Sequence, residues 1–206
     1  QERGGWTNRD VAGWFGEYTD AVVRRLGDRV HHWITLNEPN IFAMLGNLLG
    51  MHAPGYRNPW RYFRVAHNAL RGHGEAVRVI RAHGSDHRVG ITVNLAPIYP
   101  QRDTPQDHAA ARVADQALNR YYLDPVFHGR YPNFVEKARL FTPRVRPGDM
   151  ESIRQPIDFL GINNYSRTYV RAAPIPGFGF WSAAVHVAVA DEVRDGVQYT
   201  SMGWEV

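Results

Sequence analysis

The chain has 206 residues, of which 44% are hydrophobic, so it is long enough to bury the core of one domain. It contains no cysteine, which excludes a disulfide framework, a cysteine nucleophile and a cysteine-ligated zinc site. The formal net charge is +4, but basic residues alternate with acidic ones and no apolar run could cross a membrane, which argues against a nucleic-acid or membrane partner.

The first predicted elements are a helix and a strand. Thr7 and Asp10 resemble a capping box. Apolar residues then recur at helical spacing up to Gly27, at Val11, Phe15, Tyr18, Val22 and Leu26. A short β-rich run over Val30–Asn37 follows and ends at Glu38 and the breaker Pro39, which predicts a strand with a polar tip.

The same alternation continues along the chain. A helix is predicted from Pro59 to about Gly84, then a strand over Val89–Leu95, and helices over 106–122 and 132–140. A third strand, Ile157–Ile162, delivers polar residues at its end. Beyond residue 170 the pattern predicts a long loop and a hairpin through Val185 to Tyr199.

Strands that alternate with helices predict an α/β fold with a parallel sheet covered on both faces. In such folds the active site lies beyond the carboxyl ends of the strands. Polar residues follow all three predicted strands, and no linker divides the chain. One domain over 1–206 is expected, with its site at that edge.

Glu38 is the side chain at this edge best suited to catalysis. An isolated Glu is usually a solvated carboxylate, but this one directly follows a buried strand. A general acid has to be protonated when the leaving group departs, and a half-buried carboxyl group suits that role. Trp6, Trp14 and Trp60 are expected in the core, and Trp33 is a weak exception that could stack on a sugar.

Six segments together resemble glycoside hydrolase family 1, the β-glucosidase and β-galactosidase family. They occur in order along nearly the whole chain: Trp33–Pro39, Gly50–Gly55, the helix with His67, Asn68 and His73, Leu123–Pro132, Asp158–Tyr165 and Met202–Trp204. The family usually has an aromatic residue where this chain has Asn164. That departure concerns local packing and not catalysis.

The resemblance implies a partial (β/α)₈ TIM barrel, comprising about strands 4 to 6 with their helices and a long loop or hairpin. It also implies retaining hydrolysis of a β-glycoside without a cofactor. Terminal β-D-glucosyl residues are the expected substrate, and galactosides, fucosides and phosphorylated sugars stay open as alternatives. Glu38 would be the general acid/base and Asn37 would bind the sugar 2-hydroxyl. Asn163 would lie on the aglycone side, and Tyr165 would hydrogen-bond the nucleophile.

The nucleophile itself is expected outside this chain, because the family continues past Met202–Trp204 to the strand that bears it. Residues 1–206 are then a single incomplete glycosidase barrel domain, and the isolated chain is expected to be inactive. The other acids considered as a second carboxylate are expected to be structural or solvated: Asp158, Asp191, Glu192, Asp195 and Glu205.

Two alternatives stay open beside a fragment of a β-glucosidase. The chain could be one part of a split barrel that self-associates or needs complementing segments, because an incomplete barrel has unpaired strand edges. It could also be a non-catalytic carbohydrate-binding module. No metal is expected, since the ten histidines lack ligand spacing. The substrate partner would be a β-glycoside or oligosaccharide, and a cytoplasmic location is expected.

Overall fold

The structure is a computed structural model, and it describes residues 2–133, 144–172, 185, 186, 197, 198 and 200. These residues belong to two compact units. The first comprises Gln1–Asn94 with Tyr122–Asn163, and the second comprises Leu95–Tyr121 with Asn164–Val206. No helix in the described part of the chain is both long enough and apolar enough to cross a membrane.

Six helices are numbered here in chain order. They are α1 (Val11–Leu26), α2 (Pro39–Asn47), α3 (Pro59–Ala82), α4 (Pro105–Asp115), α5 (Tyr121–His128) and α6 (Asp149–Ile153). A 3₁₀ turn over Gly5–Thr7 precedes α1, and a π-helical turn over Gln116–Arg120 joins α4 to α5. The strands are β1 (His32–Asn37), β2 (Arg88–Asn94), β3 (Ile98–Pro100), β4 (Phe159–Asn163), β5 (Thr168–Ala172) and β6 (Val185–His186).

The first unit is built on a parallel three-stranded sheet in the order β1-β2-β4. The last residues of β2 and β4, Asn94 and Asn163, are paired with each other. Between Ile34 and Asn37 the register of β1 slips against β2, so β1 has one extra residue just before its end. Such bulges re-aim side chains beside many active sites.

Helices α1 and α3 cover one face of this sheet. Val23 of α1, Val77 and Ile80 of α3 and Val89 of β2 form a buried cluster, with Trp33 packed against it. Helix α6 approaches α3 at Gly74, where an added Cβ would lie 1.9 Å from the carbonyl oxygen of Ser152. Only glycine permits that approach, because real Cβ atoms do not come so close to an oxygen.

The second unit has its own small core. Strand β5 pairs in parallel with β3 and antiparallel with β6. Ala110, Ala111 and Ala114 of α4 pack against Val170 of β5. The carboxylate of buried Asp107 accepts hydrogen bonds from the Arg102 side chain and from the backbone N–H of Ala172, which ties α4 to the end of β5.

The three predicted long strands, their parallel arrangement and the α/β class are confirmed. The predicted capping box is wrong: Thr7 donates to the Gly4 carbonyl within the 3₁₀ turn, and Asp10 precedes α1 without a side-chain cap. The helix predicted over 106–122 is instead α4, the π-helical turn and the start of α5. Most of the helix predicted over 132–140, most of the predicted hairpin and the Met202–Trp204 segment lie outside the described residues.

Candidate active site

Polar side chains from three strands meet at one edge of the first unit. Glu38 directly follows β1, Asn94 ends β2 and Asn163 ends β4. Because the strands are parallel, their carboxyl ends lie at the same edge of the sheet. This is the edge at which parallel α/β folds place their binding sites.

The Glu38 carboxylate is held by two side-chain amides. Asn163 donates from Nδ2 to Glu38 Oε1 at 2.8 Å, and Asn94 donates from Nδ2 to the same oxygen at 3.1 Å. The Asn163 amide also lies 3.3 Å from Asn37 Oδ1. Among the described residues no hydrogen bond reaches the second oxygen, Oε2. One carboxylate oxygen is therefore anchored and the other remains available to a ligand.

The backbone at Glu38 turns sharply from strand to helix. Glu38 has φ 50° and ψ 54°, in the left-handed region, and Pro39 begins α2 immediately afterwards. The Glu38 N–H donates to the Thr92 carbonyl at 2.8 Å, which extends the pairing of β1 with β2 by one residue. This turn directs the side chain across the ends of β2 and β4.

Asn40 supports the same corner from the first turn of α2. Its Nδ2 donates to the Asn94 carbonyl at 2.6 Å, and its Oδ1 lies 3.3 Å from the Asn94 N–H. Asn40 is buried, so this amide satisfies both backbone polar groups of Asn94 away from water. The position of the Asn94 side chain beside Glu38 follows from that support.

The structure brings together three of the four predicted site residues: Asn37, Glu38 and Asn163. The fourth, Tyr165, lies in the second unit, where 53% of its surface is exposed, and its role remains a prediction. Asn94, which donates to Glu38, was not among the predicted site residues, although a polar residue at the end of a buried strand was a usable signal.

The idea that Trp33 could stack on a sugar is wrong. Its ring packs against the cluster between the sheet and helices α1 and α3, and its indole N–H donates to His87 Nδ1 at 3.3 Å. Trp33 pairs with Val89 across the strands, so both side chains lie on the helix-covered face. The residue belongs to the core.

Asp158 has the structural role that was expected of it. It precedes β4, at the opposite end of the strand from Asn163, and accepts from the Val89 N–H at 2.7 Å and from Arg81 at 2.6 Å. The hydrogen bond from Val89 and those from the arginines lower the pKa of Asp158 against the effect of burial. The other four acids considered as a second carboxylate lie outside the described residues: Asp191, Glu192, Asp195 and Glu205.

Within the described ranges, no group of three or more His, Asp or Glu side chains could hold a metal ion. His67 and His73 are both buried on α3 and hydrogen-bonded to other elements, as packing residues. His67 contacts Tyr131 and Asp149, and His73 contacts Thr35 of β1.

Relatives of known function match over the whole chain. The 1,4-β-D-glucan glucohydrolase of Thermotoga neapolitana is 41% identical over 100% of this chain, and the β-glucosidase A of Acetivibrio thermocellus is 37% identical over 99% of it. The matched regions are 47% and 45% of those proteins, so the chain spans about half the length of the curated relatives it matches.

Solved structures agree with the sequence comparison. The family 1 β-glucosidase of Thermotoga maritima superposes with a TM-score of 0.88 at 39% identity, covering 100% of this chain and 44% of that one. A β-glucosidase from Exiguobacterium marinum gives 0.86 at 37% identity, covering 98% and 45%. The expected fold, part of a (β/α)₈ barrel, is confirmed by these neighbours.

The family model described as glycosyl hydrolase family 1 matches residues 1–206. The same residues contain the strand that ends at Asn37, the Glu38 that follows it, and the Asn163 amide that holds the Glu38 carboxylate. With family model, relatives and fold in agreement, the chain belongs to glycosyl hydrolase family 1.

Proposed function

We propose that this chain carries the general acid/base portion of a retaining β-glucosidase, with Glu38 as the acid/base. The observation that supports it is the Glu38 carboxylate at the carboxyl edge of the sheet, with Oε1 held by Asn94 and Asn163. The relatives named above are a glucan glucohydrolase and β-glucosidases, which favours a β-glucoside as the substrate.

The two oxygens of Glu38 would have different roles. Because two amides donate to Oε1, the transferable proton resides on Oε2. In the first step it moves to the glycosidic oxygen as the bond to the anomeric carbon breaks and a nucleophilic carboxylate bonds to that carbon. In the second step Oε2 takes a proton from water, whose oxygen replaces the nucleophile at the same carbon.

The neighbouring amides would orient the sugar. Asn37 is the proposed partner of the sugar 2-hydroxyl, a contact that strengthens as the transition state forms. Asn163 donates to Glu38 and lies 3.3 Å from Asn37, so it couples the acid/base to the sugar-binding amide and is proposed on the aglycone side. Asn94 would keep the carboxylate from rotating during the proton transfer.

The second carboxylate would come from another segment. Retaining enzymes need their two carboxyl groups about 5–5.5 Å apart. Asp149 and Asp158, two buried or half-buried acids of the first unit, are both occupied by arginines. We therefore propose that residues 1–206 form one incomplete barrel domain, that the nucleophile lies on a strand outside them, and that Tyr165 would hydrogen-bond it.

The test uses an aryl β-glucoside with a good leaving group and an alkyl β-glucoside with a poor one. We expect no turnover by the 206-residue chain alone and turnover when it is joined to family segments that bear the nucleophile. In that joined protein, Glu38→Gln should lower kcat/KM for the alkyl glucoside by roughly 10²–10⁴-fold and for the aryl glucoside much less, because kcat/KM reports the first step, in which a good leaving group needs little protonation.

The matched control is Glu17→Gln, the same chemical change on the exposed face of α1, which should leave both rates unchanged. Turnover by the chain alone would contradict the external nucleophile. Equal losses of kcat/KM on both substrates in Glu38→Gln would contradict the acid/base assignment. Saturable sugar binding without turnover in the joined protein would favour a carbohydrate-binding module.

The unpaired edges of the parallel sheet support a proposal about the protein partners of the chain. Among the described residues, β1 and β4 each have a strand neighbour on one side only. Ile34 on β1 and Ile162 on β4 are 54% and 58% exposed. Unpaired edges with exposed apolar side chains favour strand addition, so complementing barrel segments or further copies of the chain are the proposed protein partners.

A further inference from the structure

The first unit contains a cavity, away from the candidate active site, that is lined by a group of arginines. Its volume is about 560 Å³, within the range of small-molecule sites. Arg9, Arg64, Arg144 and Arg146 line it, and Trp60 forms part of its wall. Its lining includes none of the residues around Glu38, so the cavity is separate from the candidate active site.

The carboxylate beside this cavity is already fully engaged. Asp149 Oδ2 accepts from Arg9 at 3.0 Å, from His67 at 3.1 Å and from the Arg146 backbone N–H at 2.7 Å. Its Oδ1 contacts Arg9 and lies 3.2 Å from Arg71 Nε. Burial alone would raise the pKa of Asp149, but these hydrogen bonds outweigh it and hold the pKa well below its usual range. Asp149 is therefore an anion shared by Arg9 and Arg71, and it offsets one of their two positive charges.

Three further arginines around the cavity have no acidic partner among the described residues. Within the described part of the chain, no ion pair is recorded for the guanidinium groups of Arg64, Arg144 and Arg146. All three residues are exposed and border the same cavity. His67 adds no charge, because burial lowers its pKa despite the hydrogen bond to Asp149. The cavity wall consequently carries an excess of positive charge.

The floor of the cavity is held in place before any ligand arrives. Arg71 donates to the Arg9 carbonyl at 2.8 Å, and the Asn68 amide donates to the carbonyls of Trp6 and Asn8 at 2.9 and 3.2 Å. These bonds fix the segment before α1 against α3.

We propose that this cavity binds a phosphate-bearing ligand. Guanidinium groups bind phosphate through paired, charge-assisted hydrogen bonds, and three are available here without breaking an ion pair between residues that the structure describes. The volume exceeds that of one phosphate group and accommodates an oligophosphate or a nucleotide-sized molecule. Trp60 was expected in the core but is instead 55% exposed, and it offers a ring face for an organic phosphate to stack on.

The test is calorimetric titration of the 206-residue chain with inorganic pyrophosphate. We expect saturable one-to-one binding that weakens as salt is added. The double variant Arg64→Ala/Arg146→Ala should bind pyrophosphate at least about tenfold more weakly, because the free energy of one charge-assisted hydrogen bond corresponds to about a tenfold change in Kd. The control Arg25→Ala/Arg112→Ala removes the same charge from exposed helix positions and should bind as the wild type does.

The source of the phosphate is distinguished by a second titration with adenosine monophosphate. If Trp60→Ala weakens the binding of adenosine monophosphate and leaves the binding of pyrophosphate unchanged, the site takes an organic phosphate whose ring stacks on Trp60. If the variant binds both ligands as the wild type does, the site recognises the phosphate group alone. Both results support the phosphate site.

A measurement without variants guards against loss of folding. Pyrophosphate should protect Arg64 and Arg146, but not Arg25, from modification by phenylglyoxal, read by mass spectrometry of the peptides. Absence of saturable binding, equal weakening in the control variant, or no selective protection would each overturn the proposal. None of these results depends on glycosidase activity.

Discussion

Glu38 has a backbone conformation that L-residues avoid. Its φ of 50° is the only positive φ outside glycine among the described residues, and such a conformation costs roughly 1–2 kcal/mol. The pairing of its N–H with Thr92 and the start of α2 at Pro39 hold it there. The sequence indicated a strand tip at this position, but not the left-handed turn, because that turn depends on contacts with β2.

His73 is a residue whose environment can be read through the pH dependence of stability. It is fully buried, and its Nδ1 lies 2.7 Å from Thr35 Oγ1, which itself donates to the Gly90 carbonyl. His73 Nδ1 is therefore the donor in that contact. Its Nε2 has no hydrogen-bond partner among the described residues, so the ring is neutral. Burial lowers the pKa of His73 to about 4.

This pKa gives a stability prediction with a defined sign. Between pH 4 and 6.5 the unfolded chain binds the His73 proton and the folded chain does not, so stability falls as the pH is lowered through that window. The loss should approach about 3 kcal/mol, and urea unfolding at a series of pH values would measure it. His73→Asn keeps a donor for Thr35 and should flatten the slope, whereas exposed His52→Asn should not. An unchanged slope in His73→Asn would contradict the prediction.

At the scale of the elements, apolar periodicity predicted the long helix that packs against the sheet but missed two shorter features. Helix α3 forms where periodicity predicted it, and its apolar residues Ala66, Leu70, Val77 and Ile80 are buried. Helix α2 was missed because Pro39 was interpreted as the breaker that ends a strand, although proline is also favoured in the first turn of a helix. The interruption at Gln116–Arg120 was missed because a π-helical turn leaves the apolar spacing nearly unchanged.

Two helical glycines should respond in opposite directions to the same substitution. Gly74→Ala places a Cβ 1.9 Å from the Ser152 carbonyl oxygen, so α6 must move away from α3, and we expect a loss of about 3 kcal/mol. Gly13→Ala on α1 meets nothing within 4 Å and should stabilise by about 0.5–1 kcal/mol, because alanine favours the helix. Urea unfolding of both variants tests this pair. Equal effects would contradict the close approach of α6 to α3.

At the scale of the molecule, the order of motifs predicted more than the local patterns did. The family and the class of fold followed from six segments in sequence, and among the predicted site residues Asn163 lies within hydrogen-bond distance of both Asn37 and Glu38. The part played by Asn94 and Asn40 did not follow, because it depends on the pairing of Asn94 with Asn163 and on the helix that carries Asn40. These are distances between elements, which one sequence does not contain.

The open edges of the first unit's sheet lead to a prediction about association. Ile34 is 54% exposed on β1, which among the described residues has a neighbour only in β2. We expect the 206-residue chain to associate as its concentration rises, measured by sedimentation velocity. Ile34→Lys places a charge on this edge strand and should shift the chain toward monomer, because natural proteins protect strand edges in that way.

The matched control for Ile34→Lys is Leu49→Lys, a similarly exposed apolar residue that lies outside the strands, with 42% of its surface exposed. It adds the same charge, so a general gain in solubility would appear in both variants. If association persists in Leu49→Lys and is reduced in Ile34→Lys, the association surface is the β1 edge. Family segments that complete the sheet would pair with the same edge of β1. Their binding should therefore suppress self-association of the chain. A chain that stays monomeric at every concentration would contradict the open edge as an association surface.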